Sequence, residues 1–217
     1  MRTADKDHYT LNRADAYATH HDKNARTRLT TRREGALLAR ALRRAGTLQV
    51  VLDLPCGTGR FWPAVAASGA HQLIAGDNSA GMLEVAGRNA LGPGFPERLI
   101  NTSLFAIDLV DDSVDFVACM RFFHHLAHSE DRLAVLAEIK RVSRRFAAIS
   151  LWVDGNLGAW RRRNRMLHAT EPGYGKRVCI AREQIESDFA SADFTVVDHF
   201  DVWPGLAMWR MYLIECR

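Results

Sequence analysis

Residues 50–61 read V-V-L-D-L-P-C-G-T-G-R-F, and the fold turns on this stretch. An apolar run closes on an acid, Asp53, and passes through a small-residue turn into further apolar sequence, the order expected of a strand, a glycine turn and a helix. Glycine carries no Cβ and accepts φ values that other residues avoid, so Gly57 and Gly59 let the backbone approach a ligand closely. A dinucleotide cradle needs a third glycine, in the order G-x-G-x-x-G, to bring helix and strand together under a pyrophosphate. The chain has Trp62 at that position, which disfavours a nicotinamide-dependent oxidoreductase. What remains is a turn suited to a ligand that carries an amine and a ribose. Asp53 offers a carboxylate just before the turn. Asp77 closes the run L-I-A-G-D, where a strand-end acid accepts from ribose hydroxyls.

Working outward, the chain alternates helical and strand signals. Residues 1–24 are polar and irregular. From about Arg26 to Ala45, Leu29, Leu37, Leu38, Ala41 and Leu42 include helical spacing, and Gly46 suits the stop. Ser79 is placed to cap a helix that turns Met82, Leu83 and Ala86 inward, ended by L-G-P-G-F-P. R-L-I-N-T-S-L-F and V-D-F-V-A-C-M read as the next strands, the second running into Arg121, His124 and His125. Leu133, Leu136, Ile139 and Val142 give the buried side of a helix, followed by the strand F-A-A-I-S-L-W-V. Residues 154–180 are too long for a simple loop. Ile185 and Phe189 mark a short helix, and two alternating runs, F-T-V-V-D-H-F-D-V-W and M-W-R-M-Y-L-I-E-C, close the chain as a strand pair.

Composition bounds the alternatives. The 217 residues are 47 % apolar, enough for a large core in one domain. No apolar run reaches the roughly 18 residues of a membrane span. The polar start M-R-T-A-D-K-D-H-Y does not read as a signal peptide, so the expected compartment is the cytoplasm. Cys56, Cys119, Cys179 and Cys216 lack C-x-x-C spacing, and none of the nine histidines joins a carboxylate cluster at ligand spacing, so no metal site is expected. The net charge of +4 is unevenly spread. Residues 1–50 carry 11 Lys and Arg against 5 Asp and Glu, residues 51–150 carry 9 against 11, and R-R-R-N-R at 161–165 forms a local basic block with Lys176 and Arg177. Basic segments thus flank a slightly acidic centre.

V-L-D-L-P-C-G-T-G followed by I-A-G-D-N-S-A-G-M-L, then D-D-S-V-D-F-V-A-C-M-R-F-F-H-H-L and A-E-I-K-R-V, resembles the class I S-adenosylmethionine-dependent methyltransferases, in particular the D-L-P-C-G-T-G-R subgroup. Pro55 departs from the common D-x-G-x-G-x-G form, and S-R-R-F-A-A stands where a P-G-G turn is usual. The resemblance implies an α/β, Rossmann-like fold: a seven-stranded, mostly parallel sheet with an antiparallel edge strand and helices on both faces. It implies one methyltransferase domain over 1–217, with a basic helical cap at 1–45 and an insert at 154–180 covering the acceptor. It assigns S-adenosylmethionine to Asp53, Pro55, Cys56, Gly57, Gly59, Asp77, Asn78, Met82, Ser103, Leu104 and Cys119, with Arg32 or Arg33 meeting its carboxylate. Ser103 stands where the family presents an aspartate to the adenine amino group.

The chemistry expected of such a protein is methyl transfer, with His124, His125 and Arg121 at the reacting end of the sheet. A histidine would serve as general base where the acceptor is a hydroxyl. The basic flanks predict an anionic acceptor: a phosphorylated sugar, a glycan or a lipid headgroup, with peripheral membrane contact compatible with that charge. A nucleic acid is a less favoured acceptor, since N-P-P-Y is absent, although Trp152, Trp160 and Tyr174 could stack on bases. The alternative of a different class is a regulatory protein that binds the cofactor without turnover.

Overall fold

The structure, a computed structural model, describes residues 25–92, 95–167 and 177–217. Its elements are α1 (Ala25–Ala45), β1 (Val50–Asp53), α2 (Trp62–Ala66), β2 (Gln72–Asp77), α3 (Ala80–Arg88), β3 (Arg98–Asn101), β4 (Val114–Cys119), a 3-10 turn (Phe123–His125), α4 (Ser129–Val142), β5 (Ser143–Trp152), α5 (Leu157–Leu167), α6 (Arg182–Ser191), β6 (Phe194–Asp201) and β7 (Trp209–Cys216). They form one seven-stranded sheet in the order β3-β2-β1-β4-β5-β7-β6. β1 to β5 pair in parallel, and β7 runs antiparallel to both β5 and β6 at one edge. This is the mixed, mostly parallel α/β sheet that the motifs imply.

The central strands are buried and mostly apolar because helices cover both faces. Side chains alternate across the sheet: Leu52, Val117, Ile149 and Ile214 face the layer of α4 and α6, while Val51, Phe116, Ala148 and Leu213 face α1 and α2. The one acid inside β4, Asp115, accepts from the Gln49 and Val50 N–H groups at 2.7 and 3.0 Å and from Arg144. Its carboxylate thereby caps the start of β1 and sits below the ordinary range, with those donors outweighing desolvation. Buried Leu38, Ala41, Leu42 and Ala45 seat α1 on its layer, and each buried leucine contributes about 1.5–3 kcal/mol.

Strand order reverses between β1 and β4, so the crevice of the sheet opens at the carboxyl ends of these strands, the usual ligand position in open α/β sheets. Among the described residues no helix is long and apolar enough to cross a membrane. Tyr174, Lys176 and the polar residues 1–24 lie outside the described residues, as does part of the 154–180 insert.

Candidate functional site

The glycine turn after β1 is built by backbone bonds and one carboxylate. Leu54 N–H donates to Ala118 and Cys56 N–H to Gly76, so Pro55, which has no N–H, falls between two satisfied donors. Gly57 has φ +55°, a left-handed conformation that a Cβ disfavours, and a Cβ built there meets nothing within 4 Å. Its N–H donates to Asp77 Oδ2 at 2.9 Å, while Ser79 N–H donates to Oδ1 at 2.9 Å. Asp77 therefore ties the turn to the start of α3. Burial raises its pKa and these N–H bonds oppose the rise. An ionised carboxylate has about four acceptor positions, so acceptor capacity remains after both bonds.

Trp62, the residue that rules against a pyrophosphate cradle, is wholly buried at the start of α2. A Cβ on Gly59, at φ +79°, would lie 2.8 Å from its ring. The second glycine thus makes room for tryptophan, whose indole Nε1 donates to Asp53 Oδ2 at 3.1 Å. Asp53 is 1 % exposed and its Oδ1 has no hydrogen-bond partner. Burial pushes its pKa up to about 7, against the lowering effect of the Trp62 bond.

The other expected cofactor residues divide by location. Asn78 is exposed beside Asp77, and Ser79 caps α3 by accepting from Met82 N–H, with Met82 buried. Ser103 accepts from Phe105 N–H at 3.2 Å within its own turn, and Leu104 is buried next to it. Cys56 is buried and its thiol pKa is pushed up by desolvation. Cys119 departs from expectation: strand alternation sends its thiol into the core on the α4 side, with no exposed surface, so it does not line the crevice. Arg32 is exposed on α1, whereas the guanidinium of Arg33 lies 4.6 Å from the Trp203 ring.

Arg121, His124 and His125 follow β4 at the same end of the sheet. Arg121 adopts φ +59°, its N–H donates to Ser150 Oγ at 2.7 Å, and its guanidinium grips Glu34 of α1, with Nε 3.0 Å from Oε1. It also lies 4.7 Å over the Trp209 ring. His124 is 2 % exposed, stacked on Trp152 at 5.1 Å and edge-on to Trp209 at 4.9 Å. Desolvation, then the charges of His125, Arg177 and Arg121, push its pKa down to about 2. His125 is exposed, with its pKa lowered by desolvation and Arg177. Arg162 and Arg177 approach the Trp152 ring at 5.0 and 5.6 Å, and Arg162 donates to the Arg177 carbonyl at 2.6 Å.

Sequence reasoning passed over Glu34, Trp209, Trp203 and Ser150. Glu34 was detectable: it shares the i, i+4 stripe of Leu38 and Leu42, where an unpartnered acid is costly and implies a buried cation. The tryptophans gave no such signal, because only strand pairing sets Trp152 opposite Trp209.

Comparison with known proteins agrees with this geometry. Residues 51–145 match the family model of a methyltransferase domain. An uncharacterized methyltransferase-like protein of Schizosaccharomyces pombe is 38 % identical over 94 residues, covering 43 % of this chain and 33 % of that protein. A second, similar protein of the same yeast is 39 % identical over 93 residues. The chain therefore spans about a third of the length of the curated relatives it matches. Among solved structures, an S-adenosylmethionine-dependent methyltransferase from Clostridium acetobutylicum ATCC 824 superposes with TM-score 0.72 at 13 % identity, covering 93 % of this chain and 98 % of that one. Magnesium protoporphyrin IX methyltransferase from Synechocystis PCC 6803, with bound SAH, gives TM-score 0.70 at 13 % identity over 89 % and 88 %. With the strand order in agreement, residues 51–145 match a methyltransferase domain, and the chain has the fold of S-adenosylmethionine-dependent methyltransferases.

Proposed function

We propose that this protein binds S-adenosylmethionine at the carboxyl ends of β1, β2 and β4 and transfers its methyl group to an anionic acceptor, on oxygen. The observation that carries the cofactor reading is the open space at the missing Cβ of Gly57, next to a carboxylate with acceptor capacity to spare. Asp77 would hold the ribose hydroxyls, and Ser103 and Leu104 the adenine edge. The unpartnered Oδ1 of Asp53 is the acceptor left for the amine. Arg32 and Arg33 on α1 would meet the cofactor carboxylate.

When bound, S-adenosylmethionine supplies an electrophilic methyl, so the protein's own contribution is alignment and exclusion of water. Of the two histidines, His125 is the one exposed to an acceptor and able to take a hydroxyl proton. His124 is held neutral between Trp152 and Trp209 and serves as packing. Arg121, engaged by Glu34, acts as a positioning residue that docks α1 against the mouth. The exposed Arg161, Arg163 and Arg165 of α5 support an anionic acceptor through the positive field they create.

Isothermal titration with S-adenosylmethionine, S-adenosylhomocysteine and NADH tests the cofactor reading. The first two should bind and the third should not. Asp77→Ala should weaken both by about 1.5–3 kcal/mol. Unchanged affinity in a folded variant removes Asp77 from the site. For the proton-accepting role, His125→Ala should lower turnover by on the order of 10²-fold while cofactor affinity holds. Equal turnover in wild type and variant would make His125 structural.

A further inference from the structure

Three segments that are distant in sequence meet at the carboxyl end of the sheet: the first turns of α1, the loop 202–208 between β6 and β7, and α5. They are joined by contacts. The Arg33 guanidinium lies 4.6 Å from the Trp203 ring, and the Leu157 and Gly158 N–H groups donate to the Gly205 and Leu206 carbonyls at 3.0 Å. Each segment leaves one large apolar side chain in solvent: Leu29 at 54 %, Leu206 at 62 % and Trp160 at 53 % exposed. Around them stand Arg161, Arg163 and Arg165, all exposed. Residues 25–33, 155–167 and 202–209 contain no Asp or Glu. Among the described residues, no carboxylate pairs with Arg161, Arg163 or Arg165.

We infer that this rim is a docking surface for an anionic phospholipid bilayer. Leu91, Leu99, Phe105 and Val110 are also exposed, but the rim differs in setting one large apolar side chain on each of three neighbouring segments beside exposed arginines, and a binding site for one small ligand would need concavity rather than projecting Trp and Leu. Tryptophan and leucine enter the boundary between headgroup and acyl chain, while arginines beside them meet lipid phosphates. α5 fits that use. Arg162 turns inward to Trp152 and the Arg177 carbonyl, which fixes the helix and leaves Trp160 and Arg163 on its outer side. The charge complementarity selects an anionic membrane as occupant, and the acid-free composition of all three segments avoids repulsion from it. Docked this way, the protein would present the crevice holding His125 to molecules at the bilayer surface. The inference stands on the rim alone and does not depend on methyl transfer.

Sedimentation with vesicles tests it. The full chain should sediment with vesicles of equal parts phosphatidylcholine and phosphatidylglycerol, remain in solution with phosphatidylcholine alone, and be released by salt. Replacing Arg161, Arg163 and Arg165 by Gln should lower partitioning by roughly a hundredfold, at about fivefold for each arginine. The same three replaced by Lys should keep binding, which guards against misfolding as the cause. Trp160→Ala and Leu206→Ala should each weaken partitioning by about tenfold. Failure to sediment with the mixed vesicles overturns the inference, as does binding indifferent to Trp160 and Leu206. Tighter binding to a single-stranded oligonucleotide than to mixed vesicles at the same salt would also overturn it, making the rim a nucleic-acid surface. Titration with S-adenosylmethionine on the same sample separates failure of this inference from failure of the cofactor reading.

Discussion

Gly57 and Gly59 stand two residues apart in one turn and meet different demands. At Gly57 the demand is φ and empty space, and at Gly59 it is the ring of Trp62. Gly59→Ala should therefore cost stability, by roughly 1–3 kcal/mol from overpacking and left-handed strain. Gly57→Ala should carry only the left-handed strain, about 1–2 kcal/mol, with no overpacking, and should in addition weaken cofactor binding. Thermal melts and titrations on the two variants check the division, and it fails if Gly59→Ala melts like wild type. Asp53 carries a second residue-scale consequence. The unfolded chain ionises this carboxyl near 3.8 and the folded one near 7, so the folded state holds a proton that the unfolded state has released. Stability should decline as pH rises from about 4 to 7 and level off above, by a few kcal/mol in total. Asp53→Asn, which keeps an acceptor for the Trp62 indole, should flatten that decline. Melting curves across this range would show the difference.

At the scale of elements, α1 is held by an apolar stripe and by one ion pair. Glu34 is buried and Arg121 mostly so, and the pair reaches from the helix to the turn after β4. Removing one partner strands the other in a desolvated position, which costs about 3–5 kcal/mol in such pairs. Glu34→Ala should thus lower stability by that order. Glu34→Ala combined with Arg121→Ala should lower it by less than the sum of the two single changes. Denaturant unfolding of the four proteins checks this, and strict additivity would show that the pair does not couple α1 to the sheet. A second buried pair, Arg132 with Asp188, joins α4 to α6 on the opposite face and is completed by Ser129 and Gln184. Each helical layer therefore has its own polar anchor.

For the whole molecule, the relevant quantity is where charge lies. A slightly acidic centre is flanked by basic segments, and the fold brings α1 and α5 to the same end of the sheet. Replacing Arg161, Arg163 and Arg165 by Gln should raise the acceptor KM, most steeply at low salt, and leave S-adenosylmethionine affinity unchanged. Initial rates over a series of ionic strengths check it. A neutral best acceptor, or a KM indifferent to salt and to the replacements, would remove the arginines from acceptor capture.

By itself the sequence determined the class of fold and the place of the crevice, and it supplied the residues proposed to hold the cofactor. Those features rest on local chemistry: the alternation of apolar runs, the glycines of one turn, the acids that end β1 and β2, and the serine that caps α3. Tertiary structure alone decided what each charged or aromatic side chain faces. Asp53 turned to Trp62, Cys119 into the core, Arg121 to Glu34, and His124 into a box of tryptophans while its neighbour stayed in solvent. The reason is physical. A strand's period dictates which face a residue takes, but its partner there arrives from another strand or helix, 87 residues away for Arg121 and Glu34. Burial, which sets the cost of a charge and the pKa of a histidine, exists only once those distant pieces have closed over it.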